Sequence, residues 1–220
     1  MQLKKKIVSF ALAAALLVSV PVSAFASPAF NAQVLNGRND ITINIDDMTD
    51  VIYLNPSSLY DGSMLVRPTA YTAILIDPHI SLTDAFDFFD LSFSYHGYNL
   101  ANLNMIAVKI GDNRYLFSKC RVSSSVDDTD GTIYENISFT VKNEILPFMN
   151  DFVSHKDSEI KVRLIGNSSS FEFVLTDTMK RDICDMYNLY VSGGGLSQPD
   201  FHLLSYATET TVTRNGVALS

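Results

Sequence analysis

Residues 127–135, DDTDGTIYE, crowd four acids and a glycine into nine positions. Carboxylates at that density raise the question of a calcium loop. An EF-hand loop needs oxygen ligands at alternate positions, a glycine at position 6 and a bidentate acid at position 12. With Gly131 at position 6, Asp128 and Asp130 fall on ligand positions 3 and 5. Position 1 is then Val126 and position 12 is Ile137, so the oxygens that close the cage are missing. The stretch reads instead as a turn between two strands, because Asp and Gly accept turn geometry. No cofactor is expected. A looser calcium site using Asp127, Asp128 and Asp130 with acids from elsewhere in the fold stays open as the alternative.

Catalytic spacing is hard to find. The four histidines, His79, His96, His155 and His202, stand singly. Neither H-E-x-x-H nor G-x-S-x-G occurs, and Gly193–Gly195 follows a helical pattern, where glycine is a stop signal and not a phosphate cradle. Acids that meet only through the fold, as in a two-carboxylate glycosidase, leave no trace in sequence. The residues that suggest contact with a ligand or partner are Tyr95, His96 and Tyr98, set around Gly97 and followed by the amide-rich NLANLN. Aromatic rings beside amides suit sugars or a protein surface. The competing reading makes these tyrosines the end of a core strand. Cys120 and Cys184 are the chain's two cysteines. In an oxidising compartment they are expected to bridge across about 64 residues, contributing about 2–4 kcal/mol. A catalytic thiol is not expected, since no basic neighbour stands ready to lower its pKa.

The N-terminus is the strongest single signal. Lys4, Lys5 and Lys6 precede the uncharged apolar run 7–20, and Ala24 and Ala26 occupy the small-residue positions of a cleavage site. This is the secretory pattern, with cleavage expected between Ala26 and Ser27. The apolar run is about 14 residues, short of the roughly 20 that span a bilayer. The pattern fits bacterial export to an extracellular location. Loss of the three lysines moves the net charge from −8 to −11. That surplus of acid argues against nucleic acid and against anionic membranes as partners.

The elements that must position these residues read mainly as strands. Ile41, Ile43 and Ile45 alternate with polar residues, as do Phe89, Leu91, Phe93 and Tyr95. Pro68 marks an edge strand or a break. Asp77–Pro78 is read as a turn, and residues 81–86 as the start of a short helix. A hairpin turns at residues 111–113, its core face carrying Ile106, Val108 and Ile110 with Leu116, Cys120 and Val122. A second hairpin turns at residues 166–170. Residues 143–153 suggest a short helix with Pro147 in its first turn. The firmest helix covers residues 176–191, capped by Thr176, with Met179, Ile183, Met186, Tyr187 and Tyr190 on one stripe.

Strands come in a block before the main helix and do not alternate with helices. The expected class is therefore α+β: about eight or nine short, mainly antiparallel strands, as a sheet or sandwich, packed with one amphipathic helix in the C-terminal half. The organisation expected is a signal peptide (1–26), a leader (27–40), one β-rich domain (41–192) and a tail (193–220) that adds at most one strand. The function expected is a secreted, non-enzymatic module that binds an extracellular protein or glycan. The alternatives are a glycan-acting two-carboxylate hydrolase and a structural subunit of a surface assembly.

Overall fold

The computed structural model describes residues 30–83, 86–197 and 209–219. The expected signal peptide, its cleavage point at Ala26 and Ser27, and His202 lie outside the described residues. Among the described residues, two antiparallel sheets are packed with two α-helices, as the α+β reading anticipates. The first sheet holds β1 (Ile41–Asp46), β2 (Val51–Pro56), β4 (Thr72–Leu82), β5 (Asp87–Gly97), β9 (Ile133–Thr140) and β8 (Arg121–Val126), in that spatial order. β3 (Leu65–Thr69) joins the free side of β4. The second sheet runs β11 (Ser170–Val174), β10 (Ile160–Gly166), β6 (Leu103–Ile110), β7 (Asn113–Ser118), β12 (Thr211–Arg214) and β13 (Val217–Ala218). The tail thus supplies two short strands, one more than expected.

Alternation along each strand sends the apolar half inward. From β5, Phe89, Leu91, Phe93 and Tyr95 are buried, and from β9, Ile137 and Phe139. The two sheets meet through rings: Phe117 stacks on Phe139 at 4.3 Å, Tyr95 on Phe171 at 5.0 Å, and Phe93 lies 6.5 Å from Phe173. Helix α1 (Leu146–Ser154) adds Phe148, edge-on to Tyr115, Phe117 and Phe139. Helix α2 (Asp177–Ser192) covers the rest of the same inner face. Thr176 caps it by accepting from Met179 N at 3.2 Å, and the whole expected stripe is buried. Its Tyr187 and Tyr190 rings sit 5.8 and 6.2 Å from Phe89. At the other end of the chain, Phe30 is buried and Asn31 N donates to Gly193 O at 2.7 Å, so the described part of the leader is tied down. No helix among the described residues is long and apolar enough to cross a membrane.

Four local expectations are corrected. Asp77–Pro78 does not turn the chain; both lie inside β4, with Pro78 opposite Leu91 of β5. Its missing donor is tolerated because β2 pairs with β4 only at Ile80–Leu82, and β3 only at Thr72–Leu75. Ser81 and Leu82 do not begin a helix, since they complete β4, and Thr83 donates from its N–H and hydroxyl to Phe86 O. The β6–β7 turn takes two residues, pairing Ile110 with Asn113, where a three-residue loop was expected. A one-residue shift reverses the faces of a strand. Tyr115 and Phe117 are therefore the buried residues of β7 and Leu116 is exposed, while β7 ends at Ser118, leaving Cys120 half-buried past its end and Val122 exposed in β8 of the first sheet.

The expected disulfide is absent: Cys120 and Cys184 are both free thiols. Cys184 points into the core from α2. Cys120 lies past Lys119, whose positive φ of 55° ends β7 where the chain leaves the second sheet for the first.

Candidate functional site

The half of each strand that does not face the core builds a second surface. On the outer face of the first sheet, His79, Asp90 and Thr140 line up across β4, β5 and β9. Asp77, Ser92, Ser138 and Arg121 form the next row, extended to β8. Ser94, Asn136 and Ser123 follow, and then His96, Tyr134 and Ser125. Such rows are cross-strand neighbours on one face, about 5 Å apart. Both helices and the second sheet pack on the opposite side.

At one end of this face, His79 is clamped between two carboxylates. Its Nδ1 lies 3.3 Å from Asp77 Oδ2 and its Nε2 3.6 Å from Asp90 Oδ2. Asn55 donates to Asp77 at 3.0 Å, Arg121 Nη2 donates to Asp90 Oδ2 at 3.0 Å, and the Thr140 hydroxyl donates to Asp90 Oδ1. Tyr53 closes the cluster with its ring edge-on to His79 at 6.0 Å. Burial alone pulls the imidazole toward neutrality. The two carboxylates outweigh it and push the His79 pKa up to about 10. Burial likewise works against the Asp90 anion, but His79, Arg121 and Thr140 prevail and hold it below the usual carboxylate range. A permanently charged imidazolium cannot act as a general base at neutral pH, and an ionised Asp90 cannot act as a general acid. The cluster is suited to fixing the sheet surface, not to moving protons.

At the other end lies an open depression of about 290 Å³, lined by Ser94, His96, Ser123, Ser125, Tyr134 and Asn136 among others. The His96 and Tyr134 rings meet edge to face at 4.6 Å. Burial holds the His96 pKa below its ordinary value, which favours the uncharged ring. Asn136 Nδ2 donates to Ser94 Oγ at 2.9 Å, with Ser92 as its second acceptor. Hydroxyls, an amide and two ring edges can hydrogen-bond and pack against an uncharged polar ligand.

The three residues expected to act together separate. Tyr95 is buried, stacked on Phe171, and donates to Asn99 O at 2.8 Å; it is core, as the competing reading held. His96 faces outward into the depression, and Tyr98 stands 60% exposed beyond the strand end. Asp127 and Asp130 cap the β8–β9 turn, accepting from Thr129 N and Thr132 N at 2.8 Å each, while Gly131 takes the positive φ of 74° that this turn requires. Among the described residues no three His, Cys, Asp or Glu side chains converge as a metal-binding group. Burial pushes the Cys120 thiol up to about 12 and Cys184 up to about 11, so neither is a ready nucleophile. Ser158 and Lys161 carry an S-x-x-K spacing, but they sit at the entry to β10 and not on a helix, and the Lys161 ammonium pairs with Glu159 at 3.1 Å.

A second cavity of about 310 Å³ lies between α2 and the β1–β2 end of the sheet. Two of its carboxylates have partners, Asp40 in Arg38 and Asp182 in Arg181 and the Ser58 hydroxyl, and Asp185 lines it as a third.

Architecture and surface define a two-sheet α+β protein with one face of its larger sheet given over to polar side chains. Neither family models, nor curated proteins, nor solved structures match this chain.

Proposed function

We propose that this chain is an exported binding module that presents the outer face of its first sheet to an uncharged polar ligand, of which a glycan is the favoured class. The observation that carries this reading is the depression around His96 and Tyr134, a site of hydroxyl, amide and ring-edge groups on a sheet face that neither helix covers. Cavities near 300 Å³ lie at the small end of ligand sites, which suits one or two sugar rings more than a large substrate. The acidic net charge of −8 favours a ligand without negative charge. Export rests on the pattern in residues 1–26. The hydrolase alternative loses ground where two carboxylates do meet, because Asp77 and Asp90 are both committed to His79.

The test is retention on an array of neutral glycans by the chain from residue 27 onward and by its His96→Ala/Tyr134→Ala variant. The expected result is retention on at least one glycan, weakened at least tenfold in the variant, with melting temperatures within a few degrees. Equal retention by both proteins overturns the assignment of the site. Retention on immobilised protein but on no glycan overturns the ligand class.

A further inference from the structure

The outer edge of the first sheet points to a second function of the same region: self-association. β8 reads RVSSSV, all six residues are exposed, and among the described residues it pairs with β9 alone. Edge strands are ordinarily guarded by charges, prolines or bulges. Three of the other edges have such guards, and β1, the opposite edge of the first sheet, ends on the charged Asp46. β3 carries Arg67 and Pro68, β11 carries Glu172 in an ion pair with Arg163, and β13 is two residues long. Residues 122–126 have neither charge nor proline, and Val122 and Val126 stand 43% and 57% exposed.

The sequence of this edge is also self-complementary about Ser124. Laid antiparallel against a second copy and centred there, Val122 faces Val126 of the other copy, Ser123 faces Ser125, and Ser124 faces itself. Arg121 then faces Asp127, so the flanking charges are opposite at both ends. A two-fold axis through a single residue is compatible with the hydrogen-bonding pattern whichever parity of backbone groups points outward. Symmetric contacts of this kind close at two copies and do not propagate.

We propose that the chain forms a two-fold dimer by antiparallel β8–β8 pairing, with Val122–Val126 and Arg121–Asp127 contacts at each end. The first sheets of both copies become one continuous sheet. Ser123 and Ser125, which line the polar depression, come to lie beside those of the other copy, so the two depressions border one another. A single strand pair buries well under the ~1,600 Å² of a standard interface, so the dimer is weak and concentration-dependent. The pairing does not depend on the ligand reading, and its test uses no ligand.

Sedimentation equilibrium of the chain from residue 27 onward is expected to show a mass rising toward twice the monomer's with concentration. Ser124→Lys places like charges directly across the axis and is expected to raise the dimer dissociation constant at least tenfold without altering the melting temperature. Ser124→Cys, in a Cys120→Ser/Cys184→Ala background, is expected to give a covalent dimer on mild oxidation. Met48→Cys, at a position 89% exposed in the β1–β2 turn, serves as the collision control and is expected to stay monomeric. A monomer at every concentration, equal cross-linking by the two cysteine variants, or assemblies that grow past two copies would each overturn the proposal.

Discussion

Replacing His79 by glutamine removes the cation from between Asp77 and Asp90 while keeping a polar side chain of similar reach. In the folded protein His79 titrates near 10 against an ordinary value of 6.5. At about 1.4 kcal/mol per pH unit, that difference sets a ceiling of about 5 kcal/mol on the stabilisation it supplies. Sharing of the same interaction with Asp90, and relaxation around the vacated site, bring the expected loss at pH 6 to roughly 3 kcal/mol. Because the folded value is the higher one, the stabilisation is fully present below 6.5 and fades as pH rises toward 10. The Asp90 contribution runs the other way: its folded value is depressed, so it is lost only in acid and leaves the alkaline range clear. Urea unfolding of both proteins at pH 6, 8 and 9.5 measures the difference directly, and groups common to both cancel. The gap should narrow by about 1 kcal/mol per pH unit above pH 7. A gap that stays constant from pH 6 to 9.5 would refute the clamp.

Glu135 is a buried carboxylate that accepts from the backbone N–H groups of Ala101, Asn102 and Leu103; Glu135→Ala strands these donors and should cost roughly 3 kcal/mol in urea unfolding, with a loss under about 1 kcal/mol counting against it. Gly166→Ala would put a Cβ 2.1 Å from Ala101 O, a backbone atom that cannot swing away, so a drop of about 2 kcal/mol is expected and an unchanged midpoint would show that β10 shifts freely. Unfolding the protein without reductant should let iodoacetamide label both cysteines; no labelling would restore the disulfide. Calcium at millimolar concentration should leave the melting temperature unchanged, because Asp127 and Asp130 already cap their own turn; a rise of several degrees reversed by chelator would contradict this.

Helix α2 was legible from its cap, stripe and glycine stop because each signal is local. So were the β6–β7 and β10–β11 hairpins. The errors came where one residue decides between two geometries. A two-residue turn in place of a three-residue one put Tyr115 and Phe117 inside and Leu116 outside. Pro78 looked like a chain reversal because its tolerance depends on β2 and β3 leaving a gap beside it, which no local pattern records. That misreading also hid the His79 clamp, since a turn at Asp77–Pro78 removes Asp77 from the strand face it shares with His79. The polar rows themselves were half visible: Asp90, Ser92, Ser94 and His96 alternate plainly in β5, and Tyr134, Asn136 and Ser138 do so in β9. What sequence alone withheld was the strand order that sets β5 beside β9 and makes one surface of the two stripes. Tyr95 and His96, adjacent in sequence, end on opposite faces because successive side chains of a strand alternate.

The ligand surface proposed is the outer face of the first sheet around His96 and Tyr134. The most direct measurement compares three proteins on the same neutral-glycan array: the parent, the His96→Ala/Tyr134→Ala variant and Tyr98→Ala, whose exposed ring lies beyond the strand end. The parent and Tyr98→Ala are expected to be retained alike, and the double variant to be lost. Retention lost with Tyr98→Ala and kept by the double variant would contradict the proposal.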